Sequence, residues 1–204
     1  MIDLSGAPLT YLITKGEATS ERFSESAGEI LSSIKRSVDA GISLIQIREK
    51  HLTTKQLFEL AFEAATIVSR SQTKLLINGR TDVAIAAGAD GVHLPEEGVP
   101  IGAIRRVCPP PFLIGASVHG PEAARNAKAD GANFILFGPV FDSLGKSGVG
   151  LKALADICRS LEGFPVIAVG GINGSNHQSV IESGASGYAA IRYLNDEGIL
   201  KKGI

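Results

Sequence analysis

The sequence predicts an α/β protein, a closed (β/α)8 TIM barrel with a short or incomplete last helix. Three observations predict it. Short, nearly all-apolar runs such as Val166 to Val169 alternate along the chain with stretches whose apolar residues recur at helical spacing, and strands apolar throughout suit a parallel sheet buried on both faces. A weak repeat reading helix end, glycine, small residue, strand recurs in Ala40-Gly-Ile-Ser-Leu-Ile, Ala87-Gly-Ala-Asp-Gly-Val, Asp130-Gly-Ala-Asn-Phe-Ile and Ser183-Gly-Ala-Ser-Gly-Tyr. Glycine just past a helix is a normal stop, so its recurrence marks successive αβ units. Finally, no antiparallel block interrupts the alternation. The alternative, a doubly wound open sheet, calls for a G-x-G-x-x-G after the first strand, and none is there.

The elements follow in order. Leu9 to Thr14 is a first strand, and a polar loop runs to about Ser26. Ile30, Leu31, Ile34 and Val38 then mark a helix that stops at Ala40-Gly41. Ser43 to Arg48 is the second strand, and Thr53 caps a helix to about Ser69 with Leu57, Leu60, Ala61, Ala64 and Val68 inward. Lys74 to Ile77 is the third strand, Thr81 to Ala87 a short helix, Asp90 to Val92 the fourth strand and Ile101 to Val107 its helix. Phe112 to Ala116 is the fifth strand, followed by a helix from Pro121, a residue suited to a first helical turn. Asn133 to Phe137 is the sixth, with a helix over about Leu151 to Leu161. The last two strands are Val166 to Val169 and the run from Gly187.

The 204 residues, 44% of them apolar, suffice for one core and one domain over 1–204. A net charge of −1 with acids and bases interspersed argues against nucleic acid or an anionic membrane surface as partner. Cys108 and Cys158 are too few for a disulfide framework or a zinc cluster, which points to a reduced, cytoplasmic protein. No signal peptide is evident, and no apolar run approaches the roughly 18 residues of a membrane span. A homo-oligomer is left open.

In such a barrel, chemistry collects after the C-terminal ends of the strands. Gly170 and Gly171 follow the seventh strand, where bare backbone N–H groups can close on an anion and Ser175 or Asn176 can cap the next helix. Arg192 stands after the eighth. This pair of strand ends is the usual phosphate site of the fold, although Gly170-Gly171 also reads simply as a tight turn. Gln46 and Arg48 lie two apart on the second strand and so face one way, and Lys50 continues that line past the strand's end. Buried cations are costly alone, so an anionic ligand, or Glu or Asp from a neighbouring loop, has to compensate.

These residues resemble the thiamine phosphate synthase and TenI family over nearly the whole chain. The resemblance lies in Ile45-Gln-Ile-Arg-Glu-Lys, Leu76-Ile-Asn-Gly-Arg, Gly88-Ala-Asp-Gly-Val-His-Leu, Gly115-Ala-Ser-Val-His, Phe137-Gly-Pro-Val-Phe, Lys146, Ala168-Val-Gly-Gly-Ile and Ile191. It implies a thiazole phosphate on Gly170, Gly171, Ile191 and Arg192. It also implies a pyrimidine diphosphate facing Gln46, Arg48, Lys50, Asn78, Ser117, Ser143 and Lys146. Two departures stand out. The synthase holds magnesium with an aspartate after the loop asparagine and another after the fourth strand, and these positions here read Gly79 and Gly98. Side-chain oxygens are what a hard cation needs, so no metal ligand is assigned, and only Glu96 or Glu97 is near enough in sequence to substitute.

Asn78-Gly79-Arg80, Leu94-Pro95 and Ser117-Val-His119 are similar to the TenI branch, whose studied type is a thiazole tautomerase. Its usual histidine position is Pro139, so His119, His93 or Glu97 would have to move the proton, with Lys146 beside them. His51 and His177 read as surface residues. The expectation is therefore a TenI-like thiazole phosphate isomerase with no cofactor. The alternative is a thiamine phosphate synthase using magnesium, and a second alternative is a non-catalytic binder of thiazole or thiamine phosphate.

Overall fold

The computed structural model describes residues 8–143 and 145–200. Eight parallel strands, neighbours in chain order, close into a barrel. The elements are β1 (Leu9–Ile13), α1 (Phe23–Asp39), β2 (Leu44–Ile47), α2 (Thr54–Val68), β3 (Lys74–Asn78), α3 (Thr81–Ala87), β4 (Gly91–Leu94), α4 (Ile101–Val107), β5 (Leu113–Val118), α5 (Pro121–Ala129), β6 (Phe134–Phe137), α6 (Gly150–Ser160), β7 (Val166–Val169), α7 (His177–Glu182), β8 (Gly187–Ala190) and α8 (Glu197–Leu200). The TIM-barrel expectation holds, including a short last helix as far as the chain is described. The extremes of the expected 1–204 domain, and Leu144, lie outside the described residues.

The described chain divides into two compact units. In the first, residues 8–10 with 93–190, parallel pairing puts Gly115 opposite Phe134, Ile135 opposite Val166 and Ile167 opposite Gly187. Glycine at 187 is required by close approach, because a β-carbon there would run into the Leu9 carbonyl. In the second unit, residues 11–92 with 191–200, Ile13 pairs with Gln46 and Leu76 with Gln46 from the other side. The all-buried patterns of β1, β2 and β6 match strands covered on both faces.

Local signals account for some helix ends. Thr53 and Gln56 form a reciprocal capping box at α2, as Thr53 Oγ1 accepts from the Gln56 N–H at 3.3 Å and Gln56 Oε1 from the Thr53 N–H at 3.1 Å. Gly88 ends α3 in the left-handed region at φ 71°. Several boundaries differ from expectation, two of them for evident local reasons. α1 begins at Phe23, before Ser26, helped by the Arg22–Glu25 pair over its first turn. β5 runs on to Val118 because its ladder with β6 continues to the Val118–Phe137 pair. Among the described residues no helix is long and apolar enough to cross a membrane.

Candidate anion-binding site at the strand ends

In the second unit the chain leaving β1 is stitched to the chain leaving β2. The Thr14 N–H donates to the Gln46 carbonyl at 3.0 Å, and the Arg48 N–H donates to Thr14 Oγ1 at 2.9 Å. Glu49, only 4% exposed, accepts the Gly16 N–H on Oε1 at 3.0 Å and the Ala18 N–H on Oε2 at 2.9 Å. Farther on, Ser20 Oγ donates to the His51 carbonyl at 3.0 Å, and Gln56 Nε2 to the Ser20 carbonyl at 3.0 Å. Gly16 lies so close that a β-carbon would stand 3.2 Å from the Arg48 carbonyl and 3.6 Å from Arg48 Nη1.

This seam leaves Arg48 half-buried and Lys50 exposed. A cavity of about 250 Å³ beside it is lined by residues including Glu49, Lys50, Asn78, Gly79 and Arg80. Arg80 is already engaged, because its guanidinium grips Asp82 at 2.6 and 2.9 Å and Thr54 Oγ1 at 3.1 Å. That bond holds the Asp82 carboxyl below the usual carboxylate range. Lys50 and Asn78 are therefore the groups this cavity offers an anion.

Two details depart from the strand-alternation argument. β2 ends at Ile47, so residues 48–50 have left the ladder, and Glu49 between the two cations turns into the protein. Gln46, within the strand, is 1% exposed and donates its amide N–H to the Tyr11 hydroxyl at 2.9 Å. Burial pushes the Tyr11 hydroxyl far above its ordinary range, so it stays neutral, and the Gln46 bond opposes this only in part. Gln46 thus belongs to the barrel wall with its amide nitrogen committed.

The first unit holds the histidines. His93 is buried, with Nε2 2.9 Å from Ser117 Oγ, so the Ser117 hydroxyl is engaged from behind. His119 places Nδ1 2.6 Å from the Gly138 carbonyl. A carbonyl can only accept, so Nδ1 carries the hydrogen and Nε2 of the neutral ring holds the lone pair. Nε2 lies 3.7 Å from Glu96 Oε2. The acid facing His119 is therefore Glu96; Glu97 is simply exposed. Ser143 and Lys146 exchange backbone hydrogen bonds of 3.0 and 2.9 Å, and Lys146 is exposed.

Gly170 and Gly171 follow β7 with φ of 99° and 66°. The loop after β6 passes directly against them. A β-carbon on Gly170 would strike Pro139, and one on Gly171 would stand 2.7 Å from the Asp142 carbonyl. The Gly170 carbonyl accepts from the Phe141 N–H at 3.1 Å and the Gly171 carbonyl from Asn176 Nδ2 at 3.0 Å. Close approach alone thus requires glycine at both positions. The helix that follows, α7, starts at His177 with Asn176 in the N-cap position, as the sequence predicts, and spans six residues. Neither the Ser175 nor the Asn176 side chain, however, makes a capping hydrogen bond to it. Asn173 Oδ1 accepts from the Ser175 N–H at 2.9 Å, and Asn176 Oδ1 accepts from the Asn173 N–H at 2.8 Å. These side chains stabilise a turn in competition with the helix. Ile191 and Arg192 directly follow β8, and Arg192 is exposed.

The magnesium site implied by the resemblance is not supported by the residues present. Gly79 and Gly98 offer no side-chain oxygen, and at Gly98 even a β-carbon would come 2.9 Å from the Pro95 carbonyl. Glu96 faces His119, and among the described residues no three His, Cys, Asp or Glu side chains gather as a ligand set.

A sequence model of the family described as "Thiamine monophosphate synthase" matches residues 10–194. The chain belongs to that family. Within the thiamine monophosphate synthase family it is 42% identical over 162 residues to a thiamine-phosphate synthase of Methanoculleus marisnigri, covering 78% of this chain and 76% of that one. It is 39% identical over 185 residues to a putative thiamine-phosphate synthase of Geobacter sulfurreducens, covering 89% and 84% respectively. Among solved structures, a thiamine phosphate pyrophosphorylase from Pyrococcus furiosus superposes with a TM-score of 0.81 at 30% identity, covering 95% of this chain and 90% of the other.

Proposed function

We propose that this chain is a thiamine-phosphate synthase, which joins a pyrimidine diphosphate to a thiazole phosphate and releases diphosphate. The observation that carries this reading is its 42% identity to a relative bearing that name. Lys50, which lines an anion-sized cavity with Asn78, and Arg48 two residues before it support it. In the substitution, the thiazole nitrogen lone pair forms the new C–N bond while the C–O bond to diphosphate breaks and its electrons leave with diphosphate. Charge therefore grows on the departing oxygens, and in this reading Arg48 and Lys50 stabilise it. Asn78, Ser117, Ser143 and Lys146 complete the pyrimidine diphosphate contacts in this reading, and Gly170, Gly171, Ile191 and Arg192 take the thiazole phosphate. Bond formation at nitrogen needs no histidine base.

A second reading, the metal-independent thiazole phosphate isomerase, is favoured by the glycines at 79 and 98. The His119–Glu96 pair also favours it, since it offers a base of defined tautomer. One assay separates them. The protein is incubated with thiazole phosphate and pyrimidine diphosphate, with and without magnesium, and thiamine phosphate and the thiazole tautomers are both followed. Thiamine phosphate formation is the expected result. Tautomer conversion alone would transfer the assignment to the isomerase, and saturable binding without product would make the chain a binder.

A further inference from the structure

Glu49 stands between the two cations assigned to diphosphate, yet both of its oxygens are committed to backbone N–H groups 33 and 31 residues away. A carboxylate this deeply buried is costly unless charge-assisted hydrogen bonds satisfy it, and here two do. Its negative charge lowers the local positive potential, so by field alone it opposes anion binding. A site that needed only accumulated cations would carry no acid at this position.

We infer that Glu49 is a positioning residue, whose clamped carboxylate locks the chain after β1 against the end of β2 so that Arg48 and Lys50 meet diphosphate in one fixed arrangement. This rests on the reading above that those two cations take the diphosphate. The requirement for a carboxylate is geometric. Two separate N–H donors need an acceptor-only group, whereas an amide would turn an N–H toward one of them, and aspartate, one methylene shorter, carries the same carboxylate less far. The neighbouring contacts act together, since the Arg48 N–H is held by Thr14 and the Arg48 guanidinium lies near Gly16. Holding charged donors in place before the ligand arrives removes part of the ordering cost of binding.

The sign of one measurement separates positioning from plain electrostatics. Inorganic diphosphate is titrated calorimetrically into wild type and Glu49→Gln, with and without magnesium, and thiazole phosphate is titrated into both as a control. Loss of a negative charge by itself tightens diphosphate binding, whereas loss of positioning weakens it. The expected result is roughly tenfold weaker diphosphate binding with thiazole phosphate affinity unchanged. Equal or tighter diphosphate binding overturns the inference, and so does an equal loss for both ligands, which marks general destabilisation. Should Glu49→Gln fail to fold, Thr14→Val removes the acceptor of the Arg48 N–H and carries the test. It is expected to weaken diphosphate a few-fold, and unchanged binding there overturns the inference as well. Wild type that binds no diphosphate would overturn the subsite reading itself, an outcome distinct from both.

Discussion

Arg105→Ala tests most directly how the unit containing residues 93–190 is held together. The Arg105 guanidinium makes five hydrogen bonds, from Nε and Nη2 to the Gly131 carbonyl at 3.0 and 2.9 Å, from Nη1 to the Cys108 and Phe112 carbonyls at 3.0 and 2.8 Å, and from Nη2 to Asn133 Oδ1 at 2.6 Å. One side chain thereby ties the end of α4 to the approach to β5 and to the turn between α5 and β6. Asn133 Oδ1 also accepts the Ile114 N–H at 2.8 Å, which extends the brace into β5 itself. Burial lowers the guanidinium pKa, yet arginine stays cationic at any assay pH. A hydrogen bond to a charged group is worth about 1.5–3 kcal/mol when buried. Arg105 is only half-buried and water can replace it at the carbonyls, so each bond is discounted to roughly 0.5–1 kcal/mol. The substitution is expected to cost about 3 kcal/mol in all, which for a chain of this size lowers Tm by about 6–12 °C. Urea denaturation with a parallel calorimetric scan measures both quantities. Arg105→Lys keeps the charge without the planar fork and should recover less than half of the loss. A loss below about 1 kcal/mol, or full recovery by lysine, would refute the brace.

Three further outcomes are expected. Gly138→Ala sets a β-carbon against the Val169 carbonyl and should destabilise the protein by about 1–3 kcal/mol; a wild-type urea midpoint would contradict that approach. Arg192→Ala should weaken thiazole phosphate binding by about 1.5–3 kcal/mol in a titration, and unchanged affinity would remove Arg192 from the phosphate site. Burial pushes the Cys158 thiol up to about 11, and Cys108 is buried. At pH 8 only about one Cys158 in a thousand is then thiolate, so iodoacetamide should label the native chain slowly and the urea-unfolded chain fast. Rapid stoichiometric labelling of the native protein would contradict that burial.

Much of this protein is legible without coordinates because its strands are short, apolar and separated by amphipathic helices. α3, α4 and β7 fall on the residues that periodicity marks, and Gly88 and Thr53 terminate helices as their chemistry requires. The interest of Arg48 and Lys50 was legible for a related reason, since cations beside an apolar strand stand out against the cost of burying them. Where a side chain has a competing local partner, the reading slips, as at Asn176, whose amide oxygen takes the Asn173 N–H in place of capping α7. Closure of the chain decided what periodicity could not. It gave Gln46 to Tyr11, brought Glu96 to His119 in place of Glu97, and committed Glu49 to the Gly16 and Ala18 N–H groups. Hydrophobic spacing is a property of a few consecutive residues and survives in the sequence. A hydrogen bond between groups 33 residues apart exists only once the two strand ends lie side by side.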